Sequence, residues 1–133
     1  MFFLIDSNVL IDLLTISSGW YHWSSAAVAR LAERMTPAIN PIILAEVSGR
    51  FATREELDRE IPADLIARLD LPWEAAHRVG QAYTAYRRAG GTRRSPLPDF
   101  YIGAHAEVSG LTLVTRDAAR YRTYFPSVTL VAP

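Results

Sequence analysis

Apolar residues along the chain fall into short blocks set apart by polar capping signals. Phe2–Ile5 is an unbroken apolar run that stops at Asp6, the pattern of a buried strand. Val9–Leu14 takes up helical spacing, with Ser7 or Asn8 as its cap. A second helix is predicted from Ser24 or Ser25 through Met35, with Val28, Leu31 and Met35 on one face. Pro37 breaks it, and Ala38–Asn40 reads as a short strand or turn. Asn40 then Pro41 is a cap followed by proline at the first helical position, opening a helix that runs through Phe51. Thr53, with Glu56 three residues on, forms a capping box for another. Residues 63–71 fit a strand or a helix end equally well. Trp73–Arg88 is a long helix closed by Gly90-Gly91. Pro98 and Asp99 open a helix that is apolar on most sides and therefore buried. Leu111–Thr115 is a strand, Asp117 caps a helix through Phe125, and Val128–Val131 is a last strand.

Short strands alternating with helices predict an α/β fold around a parallel sheet. Right-handed crossovers gather the carboxyl ends of the strands on one edge, where ligands bind in open sheets. Asp6 and Asp117 would both lie there. The 133 residues fit one domain spanning 1–133, and a hydrophobic content of 50% argues against disorder. With no cysteine, disulfides, thiolate metal sites and cysteine nucleophiles are excluded. The apolar start is interrupted by Asp6, Asn8 and Asp12 and has no basic leader. It is expected to be neither a signal peptide nor a membrane span, which places the chain in the cytoplasm.

Net charge is zero, but its distribution is uneven. Residues 1–75 hold 6 Arg against 11 acids, and residues 76–133 hold 8 Arg against 3 acids. Every basic residue is arginine, so no mechanism that requires a lysine is open.

Four acids stand out, and each has an ordinary explanation. Asp6 would then be only a helix N-cap or a turn residue, Asp99 only a complement to the positive end of a helix, and Asp117 only the cap of the last helix. Glu46 pairs with Arg50 one turn on, a contact worth roughly 0.2–0.5 kcal/mol. Their joint placement calls for more. Four carboxylates in one cleft repel strongly, by roughly 4 kcal/mol for two charges about 4 Å apart at an effective dielectric near 20. A divalent cation offsets that cost. Oxygen-only ligation favours Mg²⁺ or Mn²⁺, which can activate a water and neutralise charge on a phosphodiester.

The stretches DSNVLIDLL (6–14), NPIILAEV (40–47), PDFYIGAHA (98–106) and LVTRDAARYRTYFP (113–126) resemble the four motifs of the PIN-domain family. The resemblance is greatest to the VapC-type toxin ribonucleases of bacterial toxin–antitoxin pairs. It spans nearly the whole chain in order, although residues 52–72 match nothing. It implies a three-layer α/β/α domain with a short central parallel sheet, and metal-dependent endonucleolytic cleavage of RNA. It also implies a cognate antitoxin as partner and a homodimer. By position, Asp6, Glu46, Asp99 and Asp117 match the family's acidic quartet. Asp6 and Asp99 are the firmest metal ligands, while Asp117 and Glu46 complete the site directly or through water. Asn8 and Thr115 match its polar companions. Residue 7 is Ser where the family often has Thr, which keeps the hydroxyl.

RRAGGTRRS (87–95) sets four arginines around a glycine pair, and Arg116, Arg120 and Arg122 form a second group near Asp117. These are either solvated helix ends or a basic rim for the RNA backbone. Arg93, Arg94 and Arg116 are the candidate substrate contacts. GWYHW (19–23) is an aromatic cluster that packs on the core, anchors a loop or meets a partner, and the resemblance favours the partner. His22, His77 and His105 share no metal-ligand spacing, and His105 is expected to be packed or hydrogen-bonded. Asp12 reads most simply as a surface residue. Two other functions were weighed. Phosphoryl transfer to an aspartate, as in haloacid-dehalogenase-like phosphatases or receiver domains, needs a second acid near Asp6 and a late lysine; residue 8 is Asn and lysine is absent. A PIN-like module that grips RNA or a partner without cutting is the other.

Overall fold

The computed structural model describes all residues, Met1–Pro133. Five strands form one all-parallel sheet: β1 (Phe2–Ile5), β2 (Thr36–Ile39), β3 (Ala67–Arg68), β4 (Thr112–Val114) and β5 (Leu130–Val131). Their spatial order is β3-β2-β1-β4-β5. Seven helices alternate with them: α1 (Ser7–Leu13), α2 (Tyr21–Ala32), α3 (Pro41–Ser48), α4 (Arg54–Glu60), α5 (Glu74–Arg88), α6 (Pro98–Ser109) and α7 (Ala119–Tyr124). The result is the expected three-layer α/β/α architecture. α1 packs on α2 and α3, whereas α6 packs on α5, α7 and α3.

The strands are short and apolar because helices cover them. Phe3, Leu4 and Ile5 are fully buried, as are Ala38, Ile39, Leu113 and Val114. They share one core with Phe100, Ile102 and Ala104 of α6 and with Tyr121 and Phe125 at the end of the chain. Gly103 is required there, since a Cβ would meet the Phe125 ring at 2.4 Å. The strand order reverses between β1 and β4. That reversal opens a crevice at the carboxyl edge, where parallel sheets hold their ligands.

Several boundaries depart from the sequence pattern. α2 begins at Tyr21, earlier than Ser24, because the Ser18 turn starts it. The Ser18 carbonyl accepts the Tyr21 N–H at 3.1 Å, and its Oγ accepts the Trp20 N–H at 3.1 Å. Ser24 is thereby freed from capping, and its hydroxyl goes elsewhere. Pro37 lies within β2. Thr36 N–H points to β1, bonding Met1 at 2.8 Å, so the donor that Pro37 lacks would face β3. β3 pairs only with Ala38 and Ile39, and nothing there is deprived. α3 stops at Ser48, short of Phe51. The ambiguous stretch 63–71 contributes the two-residue edge strand β3. The cap at Asn40 forms as read, through a bond from the Ile43 N–H at 2.9 Å; Thr53 accepts the Glu56 N–H at 3.1 Å, but Glu56 Oε2 accepts the Ala52 N–H at 3.2 Å instead of the Thr53 N–H that a full capping box needs. No helix is long and apolar enough to cross a membrane.

Candidate active site at the carboxyl edge of the sheet

Asp6 follows β1 directly and is the cap of α1, as its ordinary explanation had it, in place of Ser7 or Asn8. Its Oδ1 accepts the Ser7 N–H at 2.8 Å. Its Oδ2 accepts the hydroxyls of Thr115 at 2.8 Å and Tyr121 at 2.9 Å, with the Asn8 amide at 3.4 Å. Capping is therefore real, yet it uses only one of the two oxygens. Only 2% of the residue is exposed. Burial pushes its carboxyl up, the bonds from Thr115, Tyr121 and Ser7 oppose this, and the Asp117 charge adds to it.

Thr115 and Asn8 link the two strand ends. The Asn8 amide donates to Thr115 Oγ1 at 3.3 Å, while its Oδ1 accepts the Arg116 N–H at 3.1 Å. Asp117 is exposed just beyond β4 and does not cap α7 as expected. The cap position is Ala118, which has no side-chain oxygen to offer. The Asp117 N–H instead bonds Thr115 Oγ1 at 3.1 Å, and its carboxylate is left facing solvent beside the crevice.

Asp99 stands in the first turn of α6. Burial raises its carboxyl, followed by the charge of Asp6; Arg120 lowers it, and Asp117 raises it again. Arg120 Nη1 lies 3.3 Å from its Oδ2. Glu46, on the outer part of α3, makes no ion pair with Arg50; the only i,i+4 pair in the chain is Arg54–Asp58. The ordinary explanation for Glu46 thus fails. Its carboxyl is raised by desolvation, with the charges of Asp6 and Asp99 adding to a rise that a Ser7 hydrogen bond opposes. Asp6 and Asp99 thus lie within electrostatic reach of each other, Asp117 reaches both and Glu46 reaches both, and Arg120 is the one arginine paired with any of the four.

Glu46→Gln is expected to raise the Tm of the metal-free protein by about 1–2 °C at pH 7, an estimate that allows for solvent screening. Because the folded pKa lies above the free value, ionisation of Glu46 costs stability as pH rises through it. The advantage of the variant is full once pH exceeds that raised pKa and shrinks as pH falls through it, where wild-type Glu46 is neutral too. Calorimetry in chelator across pH 4–7 checks this; a variant less stable at neutral pH would contradict the repulsion.

No three acidic or histidine side chains converge into a closed metal cage. The donor set still suits one class of ion. Magnesium keeps several waters and takes one or two carboxylates, unlike zinc, which needs a compact tetrahedral shell. Three carboxyls raised by burial and by one another, with one arginine to balance them, are chemically suited to such a hard cation.

One residue of the site, Tyr121, went unsignalled in the sequence. Tyr121 is completely buried, and burial followed by the Asp6 charge pushes its phenol well above the ordinary range. It therefore stays a neutral donor that holds Asp6 in place. Nothing in an isolated tyrosine of an amphipathic helix announces this. Arg120, read in the sequence only as one of an arginine group, finds its partner Asp99 through the fold.

Two readings need correction. Asp12 is not a surface residue: it is 2% exposed and accepts from Ser24 at 2.6 Å, Ser18 at 3.0 Å and the Arg116 fork at 2.7 and 3.2 Å. Burial alone would raise its carboxyl, but these donors prevail and hold it below the usual range. Arg116 is consequently no free member of a basic rim. Its guanidinium is taken up by Asp12 and covers the Trp20 ring, 5.2 Å from the centroid. Trp23, within α2, packs on the core, which is the core-packing reading of the aromatic cluster. Arg93 and Arg94 are exposed on the segment after Gly91, which is tied to α5 by Tyr83 and Arg87 bonds to the Arg93 carbonyl. His105 is buried, its Nδ1 3.0 Å from the Asn40 amide.

The family model of the PIN domain matches residues 3–126. The chain belongs to the PIN-domain family. This PIN domain also has the fold of several solved structures. VapBC2 from Rickettsia felis, bound to a DNA fragment from its promoter, is similar at a TM-score of 0.76 and 20% identity, covering 100% of this chain and 99% of that one. VapBC-1 from nontypeable Haemophilus influenzae gives 0.75 and 14%, over 99% and 98%. VapBC-5 from Mycobacterium tuberculosis, a member of the VapBC family of toxin–antitoxin systems, gives 0.56 and 16%, over 98% and 96%. No curated protein matches the PIN domain significantly.

Proposed function

We propose that this PIN domain is a metal-dependent endoribonuclease and the toxin of a type II toxin–antitoxin pair. The observation that carries the catalytic part is the oxygen-only quartet of Asp6, Glu46, Asp99 and Asp117 around the β1–β4 crevice. The toxin role is supported by likeness in fold to the VapBC structures. A cognate antitoxin, a homodimer and a cytoplasmic setting belong to the same reading.

Asp6 and Asp99 would hold Mg²⁺ or Mn²⁺, with Asp117 and Glu46 completing the shell directly or through water. When bound, the ion would supply an activated water and neutralise charge on the phosphodiester. The chain's own groups do the rest. Thr115, Tyr121 and Ser7 aim Asp6, leaving it no freedom to rotate. Glu46, the most solvent-facing of the three raised carboxyls, would accept a proton from the attacking water. Arg93 and Arg94 would draw the RNA backbone towards a site whose own charge repels it.

Cleavage of structured RNA with magnesium, and its loss in chelator, tests the proposal. In parallel, about 10 mM magnesium should raise the Tm by about 3–6 °C through ligand linkage. Binding of RNA without cutting, combined with no thermal shift, would instead establish a non-catalytic module.

A further inference from the structure

Beside the acids an open cavity of about 300 Å³ lies between α5 and α7, lined by Tyr86, Asp117, Ala119, Arg120, Thr123 and Tyr124. We propose that it takes one unpaired base of the RNA strand, an inference that rests on the nuclease reading above.

Its aromatic wall is built and braced. The rings of Tyr86 and Tyr124 are 6.4 Å apart at 68°, and each meets fully buried Phe100 edge-on, at 5.6 and 5.3 Å. Phe100 anchors both rings from the core, so they present a rigid apolar surface to solvent at little further entropic cost. One such ring holds a base by stacking, with little dependence on sequence, and at 68° the other meets that base edge-on.

The cavity's polar side is the site itself. Asp117 belongs to the quartet, and Arg120 reaches Asp99 at 3.3 Å. A base seated on the tyrosines therefore leaves its phosphate beside a guanidinium and the carboxylates. On the far side, the Tyr86 hydroxyl accepts the Arg93 N–H at 3.3 Å, tying the aromatic wall to the segment that carries Arg93 and Arg94. Cationic segment, stacking wall and acids thus follow one another without a gap. The volume is at the small end for ligand cavities, enough for a single base. A base held within a duplex is stacked on its neighbours and could not enter.

Ala119→Phe and Thr123→Phe test this, since both positions are exposed on α7 and a ring there fills the cavity without entering the core. KM and kcat would be measured in magnesium with a ten-nucleotide single-stranded RNA, alongside Tm and competition by duplex RNA. The expected result for each variant is a KM raised about tenfold, with kcat within about threefold of wild type. Tm and the duplex inhibition constant should stay unchanged. An unaltered KM in both variants overturns the inference, as does an equal loss against single-stranded and duplex RNA. Should the wild type cleave no RNA at all, the nuclease reading fails and this inference with it.

Discussion

Asp99→Asn is expected to reduce RNA cleavage by about two to three orders of magnitude while the protein stays folded. Asparagine keeps the shape of the side chain but brings a neutral amide to a hard cation. It is also the cleanest of the possible substitutions. Asp99 makes one modest contact, to Arg120, and its own charge is opposed by Asp6 and Asp117. Losing the favourable interaction with the start of α6 costs about 0.3–1 kcal/mol, and relief of the like-charge repulsion offsets part of it. The Tm should thus remain within about 3 °C of wild type. Asp6→Asn cannot separate chemistry from folding in this way. Asp6 accepts from Ser7, Thr115 and Tyr121 while nearly inaccessible, so its replacement disturbs a cap and a buried network together. Steady-state cleavage by wild type and Asp99→Asn, with circular dichroism on both, is the measurement. Undiminished turnover by a folded variant would rule out the nuclease reading.

Asp12→Ala should lower stability by about 2–4 kcal/mol, the largest loss expected from any single polar residue outside the site. Removing one partner of a buried charge pair strands the other, and here Arg116 keeps its charge against Trp20 with no counter-ion. Two serine hydroxyls lose their acceptor as well, each at a cost of about 1 kcal/mol. Partial exposure of Arg116, 28% of its side chain, puts the total below the extreme for fully buried pairs. Asp12→Asn should fall between the two, since an amide oxygen can still accept from Ser24 at 2.6 Å. Urea unfolding of the three proteins checks the order. An Asp12→Ala protein within about 0.5 kcal/mol of wild type would show that the network contributes little. Because Arg116 adjoins Thr115, the substitution should also loosen the β4 end of the site.

The caps and the chemistry were unequally legible. Asn40-Pro41 and Thr53 announced their helices because a cap is a local event: a short side chain bonding an N–H three residues on. Phe2–Ile5 and Leu111–Thr115 announced buried strands because continuous apolar runs bounded by polar residues have few other uses. Asp117 misled for the same local reason. It stands where a cap would be, yet the helix starts one residue later and the carboxylate is released towards the crevice. Asp12 misled because a lone acid on a short helix is usually solvated, and its three donors come from α2, the turn before it and the segment after β4. Glu46 could not be judged at all without knowing that Arg50 points elsewhere.

From its apolar blocks, caps and four motifs, the sequence alone determined that the chain alternates strand and helix, and that acids stand at two strand ends and on two helices. Only the tertiary structure decided that β1 and β4 are neighbours at the reversal of strand order, and that reversal is what assembles the quartet. It also decided which arginine serves which acid. Arg116 and Asp12 are 104 positions apart, and Tyr121 and Asp6 are 115. No local propensity reports such a pairing, because its energy arises only when the packed core brings both groups out of water together.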